Sequence, residues 1–305
     1  MKTMIIRRFF AILIALLTLY GAHHGMTEGD VFTPGAFPLI SPTAQEKGTV
    51  RVMSFNIRCY DVGGTDLKYR IPLVPAEVNE VRPDSFGVQE ATPEWREKLK
   101  KLLPEYDSVG EDRDGSGTGE SCTVYYLRAR YRLLDSGTFW LSETPDVPSR
   151  GWDAACNRVC TWAVLQNRFT GDTYVHVNSH FDHVGKTAVV QAGKMVNDFI
   201  DERFPSLPVV FTADLNALVG SPAYNAMTTN LVNTAMVAED SIRFGTFHGC
   251  HPETHQDYEI DFVLCSPDLT VKTYRVVTAG INGRFVSDHF PVYADIVVKN
   301  GSGIC

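Results

Sequence analysis

The feature that most constrains the fold of this chain is a series of short apolar segments bounded by polar residues. The polar positions at or beside the ends of these segments are Asn56, Glu90, His180, Asp182, Asp214, Asn216, Asp261, Asp288 and His289. Strand ends at one edge of a sheet converge in space, and α/β proteins build their sites there. The pattern therefore predicts an α/β fold in which strand ends gather these side chains into one site.

The apolar segments predict a chain rich in strands, with a few helices between them. The predicted strands cover residues 49–57, 84–88, 121–127, 131–139, 159–167, 173–179, 207–212, 259–264, 271–278 and 292–298. The predicted helices cover 74–81, 92–103 and 187–204, and a further helix begins at Ser221-Pro222 with Ser as the cap. Many strands with scattered helices predict packed sheets covered by helices.

The net charge limits the class of partner. The 305 residues carry a formal net charge of −8, and loss of the basic amino-terminal residues would make it more negative. Such a surface cannot attract nucleic acid by broad positive charge. A phosphate-bearing substrate would therefore need local positive charge, most simply from a divalent metal ion.

The amino-terminal residues have the pattern of a secretory signal. Lys2, Arg7 and Arg8 precede an apolar run from Phe9 to Tyr20, which is shorter than the roughly 20 residues of a membrane-spanning helix. The expected divisions are a signal peptide (1–25), a linker (26–48), one domain (49–299) and a tail (300–305). We expect a secreted or extracytoplasmic monomer without stable membrane insertion, and an uncleaved anchor is the alternative.

Seven cysteines are compatible with secretion but define no disulfide pattern. They are Cys59, Cys122, Cys156, Cys160, Cys250, Cys265 and Cys305. An odd number leaves at least one thiol unpaired within the chain, and the absence of a CxxC pair argues against a zinc ribbon. Cys265 lies in an apolar run and is predicted to be a small core residue.

The polar positions suit the hydrolysis of a phosphoester with the help of a metal ion. Mg²⁺ prefers oxygen ligands and keeps several waters, so Glu90 and Asn56 suffice as protein ligands. Hydrolysis also requires a base for the attacking water and an acid for the leaving oxygen. The sequence offers two candidate bases, which are Asp214 and a His289 side chain oriented by Asp261.

Six motifs, in order along the chain, resemble the endonuclease/exonuclease/phosphatase superfamily of metal-dependent hydrolases. They are MSFNIR (53–58), GVQE (87–90), NSHFDH (178–183), TADLN (212–216), EIDF (259–262) and SDHFP (287–291). The resemblance implies a four-layer α/β sandwich of two mixed β-sheets flanked by helices. It also implies a phosphoesterase that uses Mg²⁺ or Mn²⁺.

The resemblance further implies roles for individual residues. The implied roles are metal binding for Asn56, Glu90 and Asp288, positioning of the water and transition state for Asp214 and Asn216, and pairing of Asp261 with His289. His180 matches the histidine that acts on the leaving group in the pancreatic deoxyribonuclease branch. Glu120 stands where that branch has a supporting Glu, so a Glu120–His180 acid pair is expected. Arg158 is similar to the family's phosphate-contacting Arg.

Three predictions concern residues near the expected site. His248 lies in a loop that we predict to line the substrate pocket, and a solvated loop is the alternative. Trp140 is predicted to belong to the core. The charged run from Asp112 to Asp114 is predicted to be a solvated loop.

Together, these observations predict a secreted, divalent-metal-dependent phosphoesterase that cleaves phosphodiesters or phosphomonoesters by in-line attack of an activated water. Its expected partner is a phosphorylated small molecule or a nucleic acid. The negative net charge and the lack of a basic arm favour a small phosphodiester or phosphorylated metabolite over DNA or RNA, with lipids third. The alternatives are a secreted DNA/RNA endonuclease and a non-catalytic binding protein on the same fold.

Overall fold

A computed structural model of the chain describes residues 35–59, 66–254 and 256–299. The expected signal peptide, the expected tail and Cys305 lie outside these residues. Within the described ranges, no helix combines the length and the apolar composition that a membrane crossing requires.

The described chain contains strands along its whole length, with helices inserted between them. The strands are β1 (Val50–Asn56), β2 (Ser85–Ala91), β3 (Tyr106–Val109), β4 (Ser121–Leu127), β5 (Tyr131–Trp140), β6 (Val159–Asn167), β7 (Thr173–His180), β8 (Val209–Asp214), β9 (Val232–Asn233), β10 (Asp240–Ile242), β11 (Asp261–Cys265), β12 (Thr270–Val276) and β13 (Val292–Val297). The helices are α1 (Asp66–Arg70), α2 (Leu73–Val81), α3 (Pro93–Leu102), α4 (Lys186–Arg203), α5 (Pro222–Met227) and α6 (Thr234–Val237), and a 3₁₀ turn covers Pro252–Thr254.

Two mixed sheets form the inner layers. The first has the strand order β10-β12-β13-β1-β2-β4-β3, and the second has the order β5-β6-β7-β8-β11-β9. The neighbours β1 and β2 run parallel, as do β7 and β8, and these two central pairs face each other across the molecule. Their carboxyl ends therefore lie together. The predicted α/β sandwich of two mixed sheets with flanking helices is confirmed.

Helices cover the outer face of each sheet because each helix has one apolar side. In α2 the buried residues Val74, Val78 and Val81 recur at helical spacing, and in α3 Trp95 is followed one turn later by Leu99. These residues form one core with β1 and β2. The helices α4 and α5 form another core with β6, β7 and β8, and a third core fills the space between the sheets.

A layer of polar side chains crosses the space between the two sheets. Asn178 on β7 donates to the carbonyl oxygens of Val88 (3.0 Å) and Thr123 (3.1 Å) on the opposite sheet. Its Oδ1 accepts from Gln89 Nε2 at 2.7 Å and from Thr212 Oγ1 at 3.0 Å. Buried polar groups are tolerated only when they are hydrogen-bonded. These bonds therefore hold the sheets in one relative position just below the strand ends.

Glycine at position 87 lets the sheets approach this closely. A Cβ atom built on Gly87 would collide with the hydroxyl of Thr212 and the amide of Asn178. Gly87 belongs to the GVQE motif that also supplies Glu90, so the motif combines a packing residue with a candidate ligand.

The structure extends several predicted elements and adds short ones. The strand β2 runs to Ala91 and β8 runs to Asp214, so Glu90 and Asp214 lie within strands rather than beyond them. The short elements α1, α6, β3, β9 and β10 were not predicted. Trp140 and Cys265 are buried, as predicted, and free thiols are found at Cys59, Cys122, Cys156, Cys160 and Cys265.

The described part of the predicted linker is packed against the domain. Phe37 and Ile40 are buried in the core between the sheets, and the Ile40 N–H donates to Thr278 Oγ1 at 2.8 Å. The segment from residue 35 therefore contributes to the core. The sequence of this segment lacks hydrophobic periodicity, so its packing against the core was not predicted.

Gly87→Ala is expected to lower the free energy of unfolding by about 2–4 kcal/mol, because it overpacks the interior and displaces buried hydrogen bonds. Gly171→Ala is the control, since Gly171 has open space around it and a positive φ of 80°. Only backbone strain of about 1–2 kcal/mol is expected there. Denaturant titration of both variants measures the difference, and an equal cost at the two positions would contradict the packing account.

Candidate active site

The side-chain amide of Asn56 joins the two sheets at the strand ends. Asn56 is the last residue of β1, and its Nδ2 donates to Glu90 Oε1 and to Asp214 Oδ2, each at 2.9 Å. Glu90 belongs to the first sheet and Asp214 to the second. Asn56 Oδ1 accepts from the Arg58 N–H at 2.9 Å. In this arrangement the amide orients two carboxylates, a contact that the sequence did not reveal, and the role of Asn56 as a metal ligand stays a prediction.

Glu90 is held in an unusual backbone conformation. Its φ is +63°, and the pairing of β2 with β4 is irregular between Val88 and Ala91. Such bulges re-aim side chains beside sites. Glu90 Oε2 accepts from the Cys59 N–H at 2.8 Å. Burial raises the pKa of Glu90, but the hydrogen bonds from Cys59 and Asn56 outweigh burial and hold the pKa below its ordinary value.

Asp261 and His289 form the predicted pair. His289 Nδ1 lies 2.9 Å from Asp261 Oδ2, and its Nε2 lies 3.9 Å from Asp214 Oδ2. Burial alone would lower the pKa of His289, but the charge and hydrogen bond of Asp261, with the charges of Asp214 and Asp288, raise it to about 10. Burial and the charge of Asp261 raise the pKa of Asp214 to about 7. At neutral pH His289 therefore carries a proton that Asp261 stabilises.

His180 is held in the opposite state. Burial, followed by the charges of Arg158 and His289, holds the pKa of His180 well below its usual range. Its Nε2 accepts from Asn216 Nδ2 at 2.9 Å and lies 3.4 Å from Asp214 Oδ2. Asn216, with φ of +47°, also donates to the Phe181 carbonyl. The ring is therefore neutral and has its Nε2 lone pair engaged, which does not favour a proton there for the leaving group.

The predicted Glu120–His180 pair is not formed among the described residues. Glu120 Oε2 instead accepts from Arg113 Nη1 at 2.7 Å, and Arg158 Nη2 lies 3.0 Å from His183 Nδ1. Burial and the charge of Glu90 raise the pKa of Glu120, and the two arginines oppose this shift. All of these groups except His183 line one cavity beside Glu90, whose lining residues are Glu90, Arg113, Glu120, Ser121, Cys122, Arg158, Val159 and His180.

His248 is buried beside the loop that carries Asp288. It is only 1% exposed, and its ring stacks on Phe290 with a centroid separation of 4.0 Å. Its backbone N–H donates to the Asp288 carbonyl at 2.9 Å. In the structure the ring packs among aromatic side chains and helps to fix the loop that carries Asp288, and the substrate-contacting role of His248 stays a prediction.

Asp288 is half-buried, and its carboxylate faces the side of the site that Arg58 occupies. Its Oδ2 lies 3.8 Å from Arg58 Nε, and its Oδ1 accepts from Ser287 Oγ at 3.3 Å. Ser287 Oγ also donates to the Asn56 carbonyl at 2.8 Å. The SDHFP motif is thereby tied to the end of β1, which brings Asp288 to the same strand ends as Asn56.

The loop that follows β3 is more ordered than its charged sequence predicts. Asp112 is buried, and its carboxylate accepts from the backbone N–H groups of Asp114, Gly117 and Gly119. The prediction of a solvated loop is wrong at Asp112. The combination of Asp with several glycines, which is typical of a structured turn, was the available signal. The loop directs Arg113 into the cavity, and sequence reasoning missed this residue.

The donor groups of the site fit a hard divalent cation. Two groups bring their potential ligand atoms within 4.8 Å of one another, and they are Asp214 with Asp261 and His289, and Cys59 with Glu90 and Glu120. A protonated His289 is a poor ligand, so the carboxylate oxygens of these two groups are the donors available to a cation. Oxygen-rich, acidic surroundings of this kind suit Mg²⁺ or Mn²⁺.

Comparison with known proteins places the chain among phosphoester hydrolases. A model described as the endonuclease/exonuclease/phosphatase family matches residues 53–289. A Bacteroides thetaiotaomicron mannosyl-6-phosphatase is 32% identical, with a TM-score of 0.76, over 81% of this chain and 99% of that chain. An endonuclease/exonuclease/phosphatase from Bacteroides vulgatus is 35% identical, with a TM-score of 0.78, over 83% of this chain and 100% of that chain.

More distant structures share the fold. The human Nocturnin catalytic domain with bound sulfate is 16% identical, with a TM-score of 0.69, over 88% of this chain and 99% of that chain. No curated protein sequence matches the chain.

Asp261→Asn is expected to lower the pKa of His289 by at least two units, because the charge of Asp261 opposes the effect of burial. NMR titration of the imidazole resonances, in the presence of a chelator, measures this shift. Asp201→Asn on the exposed side of α4 is the control. An unchanged titration of His289 in the Asp261 variant would contradict the electrostatic account.

Proposed function

Since the chain belongs to the endonuclease/exonuclease/phosphatase family, as its six motifs predicted, we propose that it is a divalent-metal-dependent phosphatase of small phosphomonoesters. The chain is a phosphoesterase of this family, and the metal requirement and the substrate class are the proposal. The similarity to a mannosyl-6-phosphatase over almost the full length of that protein supports sugar phosphates as the first substrates to test. The net charge of −8 argues against nucleic acid.

The observation that carries this proposal is the contact of Asn56 with both Glu90 and Asp214, beside the Asp261–His289 pair. It brings together a candidate cation ligand, a base and a protonated imidazole from two sheets. A merely structural cluster would have no reason to collect this many buried carboxylates. Their mutual repulsion is costly unless function requires them.

Asp214 is the better of the two candidate bases. A His289 ring that already carries a proton cannot accept another from water, whereas Asp214 has an accessible unprotonated form near neutral pH. Asn56 and the Asn216 N–H fix the two carboxylate oxygens of Asp214. The attacking water would lose its proton to Asp214, and the protonated His289 would stabilise negative charge on a phosphoryl oxygen. The departing alkoxide would take a proton from water, and Asp214 would return its own proton to water.

Glu90 and Asp288, with Asn56 beside them, would hold the divalent cation. When bound, such a cation supplies positive charge to the phosphoryl oxygens. Arg158, which is buried and lines the cavity, would contact the phosphate from the other side. The backbone N–H of Asn216 donates to Asp214, and its side-chain amide donates to His180, so this one residue would orient the attacking and leaving sides together.

We also propose that the protein is secreted and acts as a monomer. The basic residues followed by an apolar run at its amino terminus support export. Detection of the chain in culture medium, with its first residues removed, is the observation that this part of the proposal requires.

Phosphate release from mannose 6-phosphate by the intact chain tests the proposal. With Mg²⁺ or Mn²⁺ we expect turnover that falls about 100-fold or more in EDTA, because the positive charge of the cation beside the phosphoryl oxygens is removed. In Asp214→Ala we expect turnover to fall about 1000-fold, because the base is lost. Asp201→Ala on the exposed side of α4 is the control and should keep full activity.

Bis-p-nitrophenyl phosphate is the diester arm of the same experiment. Turnover of the diester alone would replace the monoesterase proposal with a phosphodiesterase. Turnover of either substrate that survives both EDTA and Asp214→Ala would overturn the mechanism, and no turnover of any phosphoester would favour a binding protein on this fold.

A further inference from the structure

We propose that Arg113 determines substrate specificity, because its guanidinium and the Glu120 carboxylate form a donor–acceptor pair that binds neighbouring hydroxyl groups of the leaving alcohol. The substrate class would then be phosphomonoesters of polyhydroxyl compounds such as sugars. This inference rests on the proposed phosphatase function and adds to it the residue that selects the alcohol.

Arg113 opens onto the cavity that also holds candidate catalytic groups. The lining of this cavity includes Glu90, His180, Arg113 and Glu120. One carboxylate oxygen of Glu120 lies within 4.8 Å of one of Glu90. The side chains of Arg113 and Glu120 are 21% and 10% exposed, so they are largely buried and yet reachable from solvent. A phosphoester held at Glu90 would therefore place the alcohol that it releases close to this pair.

The backbone of Arg113 is fixed on both sides of the residue. Its N–H donates to the Glu120 carbonyl at 2.8 Å. Its carbonyl accepts from Trp140 Nε1 at 2.6 Å and from Asn157 Nδ2 at 3.3 Å. The buried Asp112 carboxylate closes the loop immediately before it. Arg113 is therefore positioned before any substrate binds, as a specificity-determining group must be.

Arg113 has hydrogen-bonding capacity that the described protein residues do not use. Its Nη1 donates to Glu120, but its Nε is buried and has no hydrogen-bond partner among the described residues. A guanidinium offers five N–H donors, and a buried donor without a partner costs about 1–3 kcal/mol. Nε has almost no accessible surface, so a ligand that carries hydrogen-bond acceptors would meet other N–H groups of the guanidinium, on the exposed part of the side chain.

The charges around the cavity favour a neutral ligand group. In the proposed complex Glu90 faces the cation and Arg158 faces the phosphate, which leaves Arg113 paired with Glu120. Neither a second anion nor a further cation therefore gains a large electrostatic advantage at this pair. A hydroxyl group both donates and accepts. Two neighbouring hydroxyls can accept from Arg113 and donate to Glu120 at the same time, which matches a sugar diol.

The test compares mannose 6-phosphate with n-hexyl phosphate in the intact chain. Both are primary alkyl monoesters, and only the first carries hydroxyl groups. We expect the wild type to prefer mannose 6-phosphate in kcat/KM. Arg113→Ala should lower kcat/KM for mannose 6-phosphate by about 10–30-fold and for n-hexyl phosphate by less than about threefold, since hydrogen bonds to the alcohol are lost.

Arg113→Lys keeps the positive charge beside Glu120 and guards against a variant that does not fold. It should also lose the preference, because an ammonium lacks the planar set of N–H groups. Arg132→Ala, at an exposed position of β5, is the matched control and should keep the wild-type preference.

Three results would overturn the inference. The first is an equal loss of kcat/KM for both substrates in Arg113→Ala, which would mean that Arg113 contacts the phosphate or only neutralises the charge of Glu120. The second is full recovery of the preference in Arg113→Lys, and the third is a wild type without any preference. If one of these results is found and the wild type hydrolyses n-hexyl phosphate, the phosphatase proposal is still supported. If the wild type hydrolyses neither ester, the phosphatase proposal is contradicted as well.

Discussion

The amide of Asn56 is the contact on which the site depends, because it is shared between carboxylates of different sheets. The half-buried Glu90 and the buried Asp214 repel each other at this distance from one donor, and the amide between them stabilises both charges together with the N–H groups of Cys59 and Asn216. The polar layer around Asn178 fixes the separation of the sheets just below. The geometry of the site therefore depends on the packing of the interior. Gly87 contributes to both, because it lets the two sheets approach each other closely.

The two histidines of the site are held in opposite protonation states by their surroundings. His289 faces carboxylates and keeps its proton, whereas His180 is buried beside Arg158 and remains neutral. The acids and bases of one reaction can be separated in this way, by environment rather than by residue type. Both rings approach Asp214 Oδ2, at 3.9 Å for His289 and 3.4 Å for His180, so the two protonation states meet at the candidate base.

Local patterns predicted packed sheets covered by helices and the polar residues at strand ends, and the resemblance to the family added the sandwich of two mixed sheets. Asn56, Asp214 and Asp261 end or begin apolar strands, and strand ends meet wherever parallel neighbours share a sheet edge. Arg113 and His248 could not be assigned because loop closure decides whether a side chain reaches the cavity or packs on phenylalanines. The strands β9 and β10 have two and three residues, too few to show a hydrophobic period. Phe37 is buried by strands that are distant in sequence, so the residues around it could not indicate its burial.

The central claim is that these strand ends form a divalent-cation site of which Glu90 is a principal ligand. Calorimetric titration of the intact chain with Mn²⁺ tests it most directly, with Glu90→Gln as an isosteric variant and Glu94→Gln on exposed α3 as the control. We predict binding of one ion by the wild type and the control, and affinity weakened at least tenfold in Glu90→Gln. Equal affinity in all three proteins, or no binding by the wild type, would contradict the account.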